Sequence, residues 1–251
     1  MIAVDSSVAS GGFAGHGWQV RAWREAAMVV EVCWRAAEGR TSGDFFESTV
    51  RPDGTVAAVL GDAPGFGPAA APVAARLAQA ARAALRDRRR PFHVLAALDA
   101  EAQSAGPEVV ATALCVVMDP TSGTAELSSA GHLPAVLVRP SGAQRIDPAG
   151  LPLGLGGDRS DCSSHLGDQD TLFLFTDGLV ERHDSMIEVG LEVAERAAAP
   201  LTAAGSWASE LAHQVTEVLG PPADDAMVVS ARLDRRRGQP VSECRMATRG
   251  Q

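Results

Sequence analysis

Tyrosine and lysine are absent from this sequence, aromatic residues make up only 4% of it, and four cysteines are spread over 251 residues. The cysteines (Cys33, Cys115, Cys162 and Cys244) form no CxxC pair and have no histidine at zinc spacing. That argues against a disulfide framework and against a zinc site. Cys33 and Cys115 lie inside apolar runs and read as small buried hydrophobes. No apolar stretch approaches the ~18 residues that a membrane helix needs. The opening MIAVDSSVASGGFAGHG has neither a basic region nor a continuous apolar one, so no signal peptide is expected and the chain reads as cytoplasmic. With lysine missing, all 22 basic residues are arginine, which reflects genomic base composition rather than chemistry. Against them stand 31 acidic residues, for a net charge of −9. A chain of that sign is repelled by phosphate backbones and by anionic lipid, so neither nucleic acid nor membrane is an expected partner.

What is present is apolar, small and arranged in blocks. The hydrophobic fraction is 46% and includes 45 alanines, in a chain long enough to bury a substantial core. Residues 1–27 are rich in Gly, Ser and Ala with weak periodicity and read as an N-terminal segment. It is too short for a PAS, GAF or response-regulator sensor, so regulation is expected from a partner chain or from transcription. Strands are predicted over 28–34, 45–50 and 55–61, the last two joined by Arg51-Pro52-Asp53-Gly54, a hairpin signal. Val73, Leu77, Ala81 and Leu85 stand four apart and predict a helix over 68–88. A second helix is expected over 92–103, with Pro91 near its start. Further strands are predicted at 109–118, 124–129, 134–138 and 171–175, helices at 185–198 and 206–219, and a last strand at 226–233. Residues 234–251 lose the hydrophobic pattern and are expected to be disordered. Strands in runs, rather than alternating singly with helices, predict an α+β class with antiparallel sheets and helices outside, in one domain over 28–233.

Acidic residues recur where the predicted strands begin or end. Asp44 follows Ser42-Gly43, Asp62 ends AAVLG, Asp177 ends TLFLFT, and Asp224-Asp225 precede the last strand. Charges beside buried strands are costly unless paired or metal-bound. If Asp44, Asp62, Asp177 and Asp224 converge, each pair at ~5 Å costs roughly 3 kcal/mol at an effective dielectric near 20. Six pairs then approach ~20 kcal/mol, more than the ~5–15 kcal/mol by which a domain is stable. Convergence therefore requires protonation or divalent cations, and an all-oxygen set favours Mg²⁺ or Mn²⁺ over zinc. Two such ions can activate a water and clamp a phosphoryl group. Asp-Gly after a strand is also an ordinary turn signal, and spacing alone leaves open whether four distant residues meet.

These residues carry a resemblance. Gly43-Asp44-Phe45-Phe46-Glu47, Gly61-Asp62-Ala63-Pro64-Gly65-Phe66-Gly67, Ser129-Ala130-Gly131-His132-Leu133-Pro134, Leu151-Pro152-Leu153-Gly154-Leu155, Phe175-Thr176-Asp177-Gly178-Leu179-Val180-Glu181 and Asp224-Asp225-Ala226-Met227 stand in that order. Together they resemble the SpoIIE-type branch of the PP2C-like (PPM) serine/threonine phosphatases, over about residues 28–233. The resemblance implies a PP2C-like β-sandwich flanked by helices, with the site in a cleft at one sheet edge. It implies Asp62 as a carboxylate bridging two Mn²⁺ or Mg²⁺ ions, the Ala63 carbonyl as a neighbouring ligand, Asp177 and Asp224 as further ligands, and Asp44 near the second metal. Asp62 and Asp177 are the residues on which catalysis would depend, and Asp225 a lower-ranked partner that orients water. Pro64, Phe66, Glu47 and Met227 depart from the family pattern, and the loop changes bear on substrate access.

The function the resemblance implies is direct hydrolysis of phosphoserine or phosphothreonine without a phosphoenzyme. The implied substrate is a STAS-domain anti-anti-sigma factor of a partner-switching pathway. The alternative is a catalytically weak scaffold that binds a partner-switching protein; a two-metal nuclease fits the carboxylates but not the acidic surface. His132 reads as a loop histidine ahead of a general acid. Arg35 and Arg40 are surface arginines by default that could hold a phosphate. Arg86 to Arg90 read as a solvated turn, and Trp18, Trp23 and Trp34 as core packing. Ser128 and Ser129 lack the Gly-x-Ser-x-Gly elbow of a serine nucleophile.

Overall fold

The chain is described from a computed structural model, which covers residues 18–36, 43–64, 70–87, 90–201 and 208–234. Two antiparallel sheets face each other. One is built from β1 (Gln19–Glu25), β2 (Met28–Arg35), β11 (Ala226–Leu233), β10 (Thr171–Phe175), β7 (Ala135–Arg139) and β8 (Gly142–Ile146), in that spatial order. The other runs β3 (Asp44–Val50), β4 (Val56–Asp62), β5 (Thr112–Asp119), β6 (Thr124–Ala130) and β9 (Cys162–His165). Helices α1 (Ala70–Arg86) and α2 (Pro91–Ala105) cover the outer face of the five-stranded sheet; α3 (Ile187–Ala198) and α4 (Ala208–Leu219) cover the six-stranded one.

This layering explains why the central strands read as continuous apolar runs. Along β4, Val56, Ala58 and Leu60 point between the sheets, while Ala57 and Val59 point under α1 and α2. Along β10, Leu172 and Leu174 point inward and Phe173 and Phe175 lie under α3 and α4. Both faces of each strand are buried, so the period-2 alternation of a one-sided sheet disappears. Each fully buried Val, Leu or Phe contributes ~1.5–3 kcal/mol. The predicted turn at residues 51–54 joins β3 to β4; Gly54, at φ 85°, donates its N–H to the Arg51 carbonyl, and the left-handed conformation suits glycine.

Polar anchors fix the helices on the sheets. The buried Glu47 carboxylate of β3 accepts two bonds from Arg82 of α1, at 2.8 and 3.0 Å. Glu31 of β2 accepts the Ser209 N–H and hydroxyl at the start of α4. Asp99 of α2 accepts from the Gly154 and Gly156 N–H groups and from Arg159, pinning the loop that carries Leu151-Pro152-Leu153-Gly154.

Three strands lie outside the sequence expectation: β1, β8 and β9. Residues 19–25, inside what reads as an irregular N-terminal segment, pair along their whole length with β2. Trp18 is buried under the α3–α4 face and Trp23 packs between the sheets against Phe46. The strand predicted from residue 109 starts at Thr112, because Ala111 instead bridges Leu153. Residues 235–251, expected to be disordered, lie outside the described residues, as does Cys244.

Candidate metal centre

Asp44 opens β3 and Asp62 closes β4, and the two are direct partners across the antiparallel ladder, which sets their Cα atoms ~4.5–5.5 Å apart. They alternate with Phe46 and Leu60 of the inter-sheet core, so both belong to the inward-facing rows. On the other sheet, Asp177 directly follows β10 in a single 3-10 turn, Asp177–Leu179. Asp224 and Asp225 directly precede β11, the neighbour of β10. A Cβ on Gly178 would lie 1.8 Å from the Asp225 carbonyl oxygen, so only glycine lets these two backbones touch. One sheet therefore supplies Asp44 and Asp62 to this end of the sandwich, and the other supplies Asp177, Asp224 and Asp225.

The acids feel one another. Asp44, 6% exposed, is pushed well above the usual carboxylate range by burial and then by Asp62, with further contributions from Asp177 and Asp225. Asp62 rises to about 7, first through burial and then through the Asp177, Asp224 and Asp225 charges. Asp177 is raised by burial, then by Glu181 and Asp224, against the hydrogen bonds of its local backbone N–H groups. Such mutual elevation of acids across a cleft marks a candidate site.

The donor chemistry fits a hard divalent cation. A Cβ placed on Gly43 would sit 2.6 Å from the Ala63 carbonyl oxygen and 2.8 Å from Asp62 Oδ1. Both oxygens thus border the space that the missing side chain leaves. Carboxylates plus a carbonyl are the ligands of Mg²⁺ or Mn²⁺, and added positive charge relieves the repulsion that raises the three aspartates. Among the described residues, no three His, Cys, Asp or Glu side chains already close on one point. The fold gathers the acids at one end of the sandwich but does not draw them into a finished cage.

Two residues quoted in the sequence without a role belong to this region. Thr176 is fully buried and hydrogen-bonded to Asp44. Glu181 contributes the largest charge effect on Asp177. Both stand within the Phe175–Glu181 segment, but nothing in their spacing marks them.

The other candidates are placed elsewhere. His132 is held in its own loop: its N–H donates to Ser129 Oγ, and Nδ1 lies 3.2 Å from the Leu133 carbonyl oxygen. Burial lowers its pKa to about 4, so it is neutral at pH 7. Ser128 donates to the Ser160 carbonyl, and Ser129 to that of His132. Arg35 ends β2 opposite Ala226, with Nη1 buried and, among the described residues, without a hydrogen-bond partner. Among the described residues, no arginine figures among the charges acting on Asp44, Asp62 or Asp177. Arg40, Gly65, Phe66 and Gly67 lie outside the described residues.

The sequence profile of the family described as stage II sporulation protein E (SpoIIE) matches residues 52–234. The chain belongs to the SpoIIE family. This is a family of PP2C-type serine/threonine phosphatases, and the two-sheet, four-helix architecture is the PP2C fold. The chain is similar to the RsbU and RsbW domains of Rv1364c from Mycobacterium tuberculosis, with 24% identity and a TM-score of 0.71, over 89% of this chain and 61% of that one. It is similar to the PP2C phosphatase domain and regulatory fragment of SpoIIE from Bacillus subtilis, at 16% identity and TM-score 0.68, over 88% and 72% of the two chains. RsbX, solved in complex with magnesium, matches at 16% identity and TM-score 0.63, over 86% of this chain and all of that one. These likenesses establish the fold. The SpoIIE profile begins beyond Asp44, so that residue's place in the site rests on its pairing with Asp62. Among the described residues, no helix is long and apolar enough to cross a membrane.

Proposed function

We propose that this chain is a metal-dependent protein serine/threonine phosphatase acting in the cytoplasm. The observation that carries the reading is the gathering of Asp44, Asp62, Asp177, Asp224 and Asp225 from two sheets, with the pKa values of three of them raised by burial and by neighbouring acids. Asp62 and the Ala63 carbonyl would hold ions beside Gly43, with Asp177 and Asp224 completing the set from the facing sheet and Asp44 acting at the second ion. Two Mn²⁺ or Mg²⁺ ions, when bound, supply an activated water and charge neutralisation for a phosphoryl group. The chain's own task is to hold these carboxylates at fixed spacing against their repulsion, which raises their pKa values until a cation's charge favours the ionised form. Asp225, adjacent to Asp224, would orient water. The proposed substrate is a phosphorylated STAS-domain anti-anti-sigma factor; membership of the SpoIIE family and the likeness to the RsbU and RsbW domains support that choice.

The test is Mn²⁺-dependent hydrolysis of an aryl phosphate and of a phospho-STAS protein, with Asp177→Asn as control. The expected result is activity that needs the divalent ion and falls more than ~100-fold in the variant. Activity that survives Asp177→Asn, or its absence from the wild type with any divalent ion, overturns the reading. The second outcome favours a binding scaffold.

A further inference from the structure

The two halves of the acidic site stand on different sheets, so something must fix the distance between them. The core between the sheets is apolar and non-directional, and at the far edge Arg139 of β7 donates to Ser164 Oγ and the His165 carbonyl of β9. At the acidic end one side chain makes a directional link. The Thr176 hydroxyl donates to Asp44 Oδ2 at 2.8 Å, and the Met227 N–H donates to Thr176 Oγ1 at 2.9 Å. The Thr176 backbone N–H in turn donates to the Met227 carbonyl at 3.0 Å. Thr176 immediately precedes Asp177, and Met227 follows Asp224, Asp225 and Ala226. A single hydroxyl therefore touches β3, at the end of β10, and β11, the three segments that carry four of the five acids.

The geometry also fixes the direction of the bonds. A hydroxyl has one proton and two acceptor sites. With the Met227 N–H occupying one acceptor site, the Thr176 proton is directed at Asp44 Oδ2. This bond engages Oδ2 of Asp44. When Asp44 is ionised the bond is charge-assisted and, out of contact with water, stronger than a neutral one.

We infer that Thr176 is the positioning residue of the metal centre, orienting the Asp44 carboxylate and setting the spacing between the acids of the two sheets. It touches neither substrate nor reacting atoms and acts through Asp44. This inference rests on the proposed metal-dependent function, and its test separates the two.

The experiment measures Mn²⁺ binding to the full chain by titration calorimetry, alongside the melting temperature of the metal-free protein. Thr176→Val keeps the shape and removes the hydroxyl; Thr176→Ser keeps the hydroxyl and removes the methyl. Removing a residue that orients a ligand typically weakens a metal site by ~10–100-fold. The expected result is Mn²⁺ affinity at least ~10-fold weaker in the valine variant and restored to within about threefold in the serine variant. The loss should not add to that of Asp44→Asn, because both act on one carboxylate. If the valine variant does not fold, Thr176→Cys, with a weak S–H donor, should show an intermediate loss. A folded Thr176→Val protein with wild-type Mn²⁺ affinity, or equal losses in the valine and serine variants, overturns the positioning role alone. A wild type that takes up no divalent ion overturns the metal reading and this role together.

Discussion

Replacing Asp62 by asparagine should stabilise the metal-free protein at neutral pH. Burial, followed by the charges of Asp177, Asp224 and Asp225, raises this carboxyl from the ordinary 3.8 to about 7. A carboxyl with a higher pKa folded than unfolded binds more protons in the folded state. Its stabilising contribution is present below about pH 4 and is lost as pH rises toward 7. Three units at ~1.4 kcal/mol each correspond to about 4 kcal/mol. For a chain of this size that is ~8–16 °C in melting temperature, with solvent screening of the partly exposed carboxylate taking the value toward the lower end. His132 works in the opposite direction, since burial lowers its pKa from 6.5 to about 4, so the wild-type curve sums two opposing slopes. The difference between Asp62→Asn and wild type cancels the histidine. In EDTA the two proteins should melt together near pH 4, and the variant ~8–10 °C higher at pH 7.5. In Mn²⁺ at a hundredfold excess over Kd the gap should narrow by about 2.7 kcal/mol, because the wild type gains that much and the variant little. Scanning calorimetry across this pH range reads both effects. A variant less stable than wild type in EDTA at pH 7.5, or a difference that does not grow with pH, refutes mutual repulsion at this site.

Three further outcomes follow from individual contacts. His132→Gln should flatten the acid limb: its neutral burial contributes stability above about pH 6.5 that is lost, by about 3 kcal/mol, as pH falls toward 4. Urea denaturation of variant and wild type at pH 7 and pH 4.5 measures that difference. Gly43→Ala pushes a methyl group against the Ala63 and Asp62 oxygens; Mn²⁺ affinity should drop at least tenfold, roughly, at a stability cost of ~1–3 kcal/mol. Asp99→Ala frees the Gly154 and Gly156 N–H groups and leaves Arg159 without its carboxylate. The expected cost is ~3 kcal/mol, with faster amide exchange confined to residues 151–159 as the local signature.

Interior and edge strands differ in how far they can be read from sequence. β4, β5, β10 and β11 are buried on both faces, so their sequences are largely apolar and stand out. The three strands absent from the sequence reading, β1, β8 and β9, are three of the four sheet edges. An edge strand has one neighbour and a solvent-facing side, and sequences such as QVRAWRE, GAQRI and CSSH can be polar without penalty. Their pairing is imposed by the neighbour rather than by their own hydrophobicity.

The same division holds at the acidic site. Chemical type is local: an aspartate abutting a buried strand, with glycine beside it, is visible one segment at a time, and so are the α+β class and the order of its elements. Which aspartates meet, and which hydroxyl holds them, is not local. Asp44 and Asp62 face each other because the turn at residues 51–54 sets the β3–β4 register. Thr176 reaches Asp44, 132 residues away, only because the two sheets pack face to face. The mutual elevation of Asp44, Asp62 and Asp177 arises from burial and through-space charge. Those quantities depend on distance in the folded chain, and distances between segments this far apart in sequence exist only once the sandwich has closed.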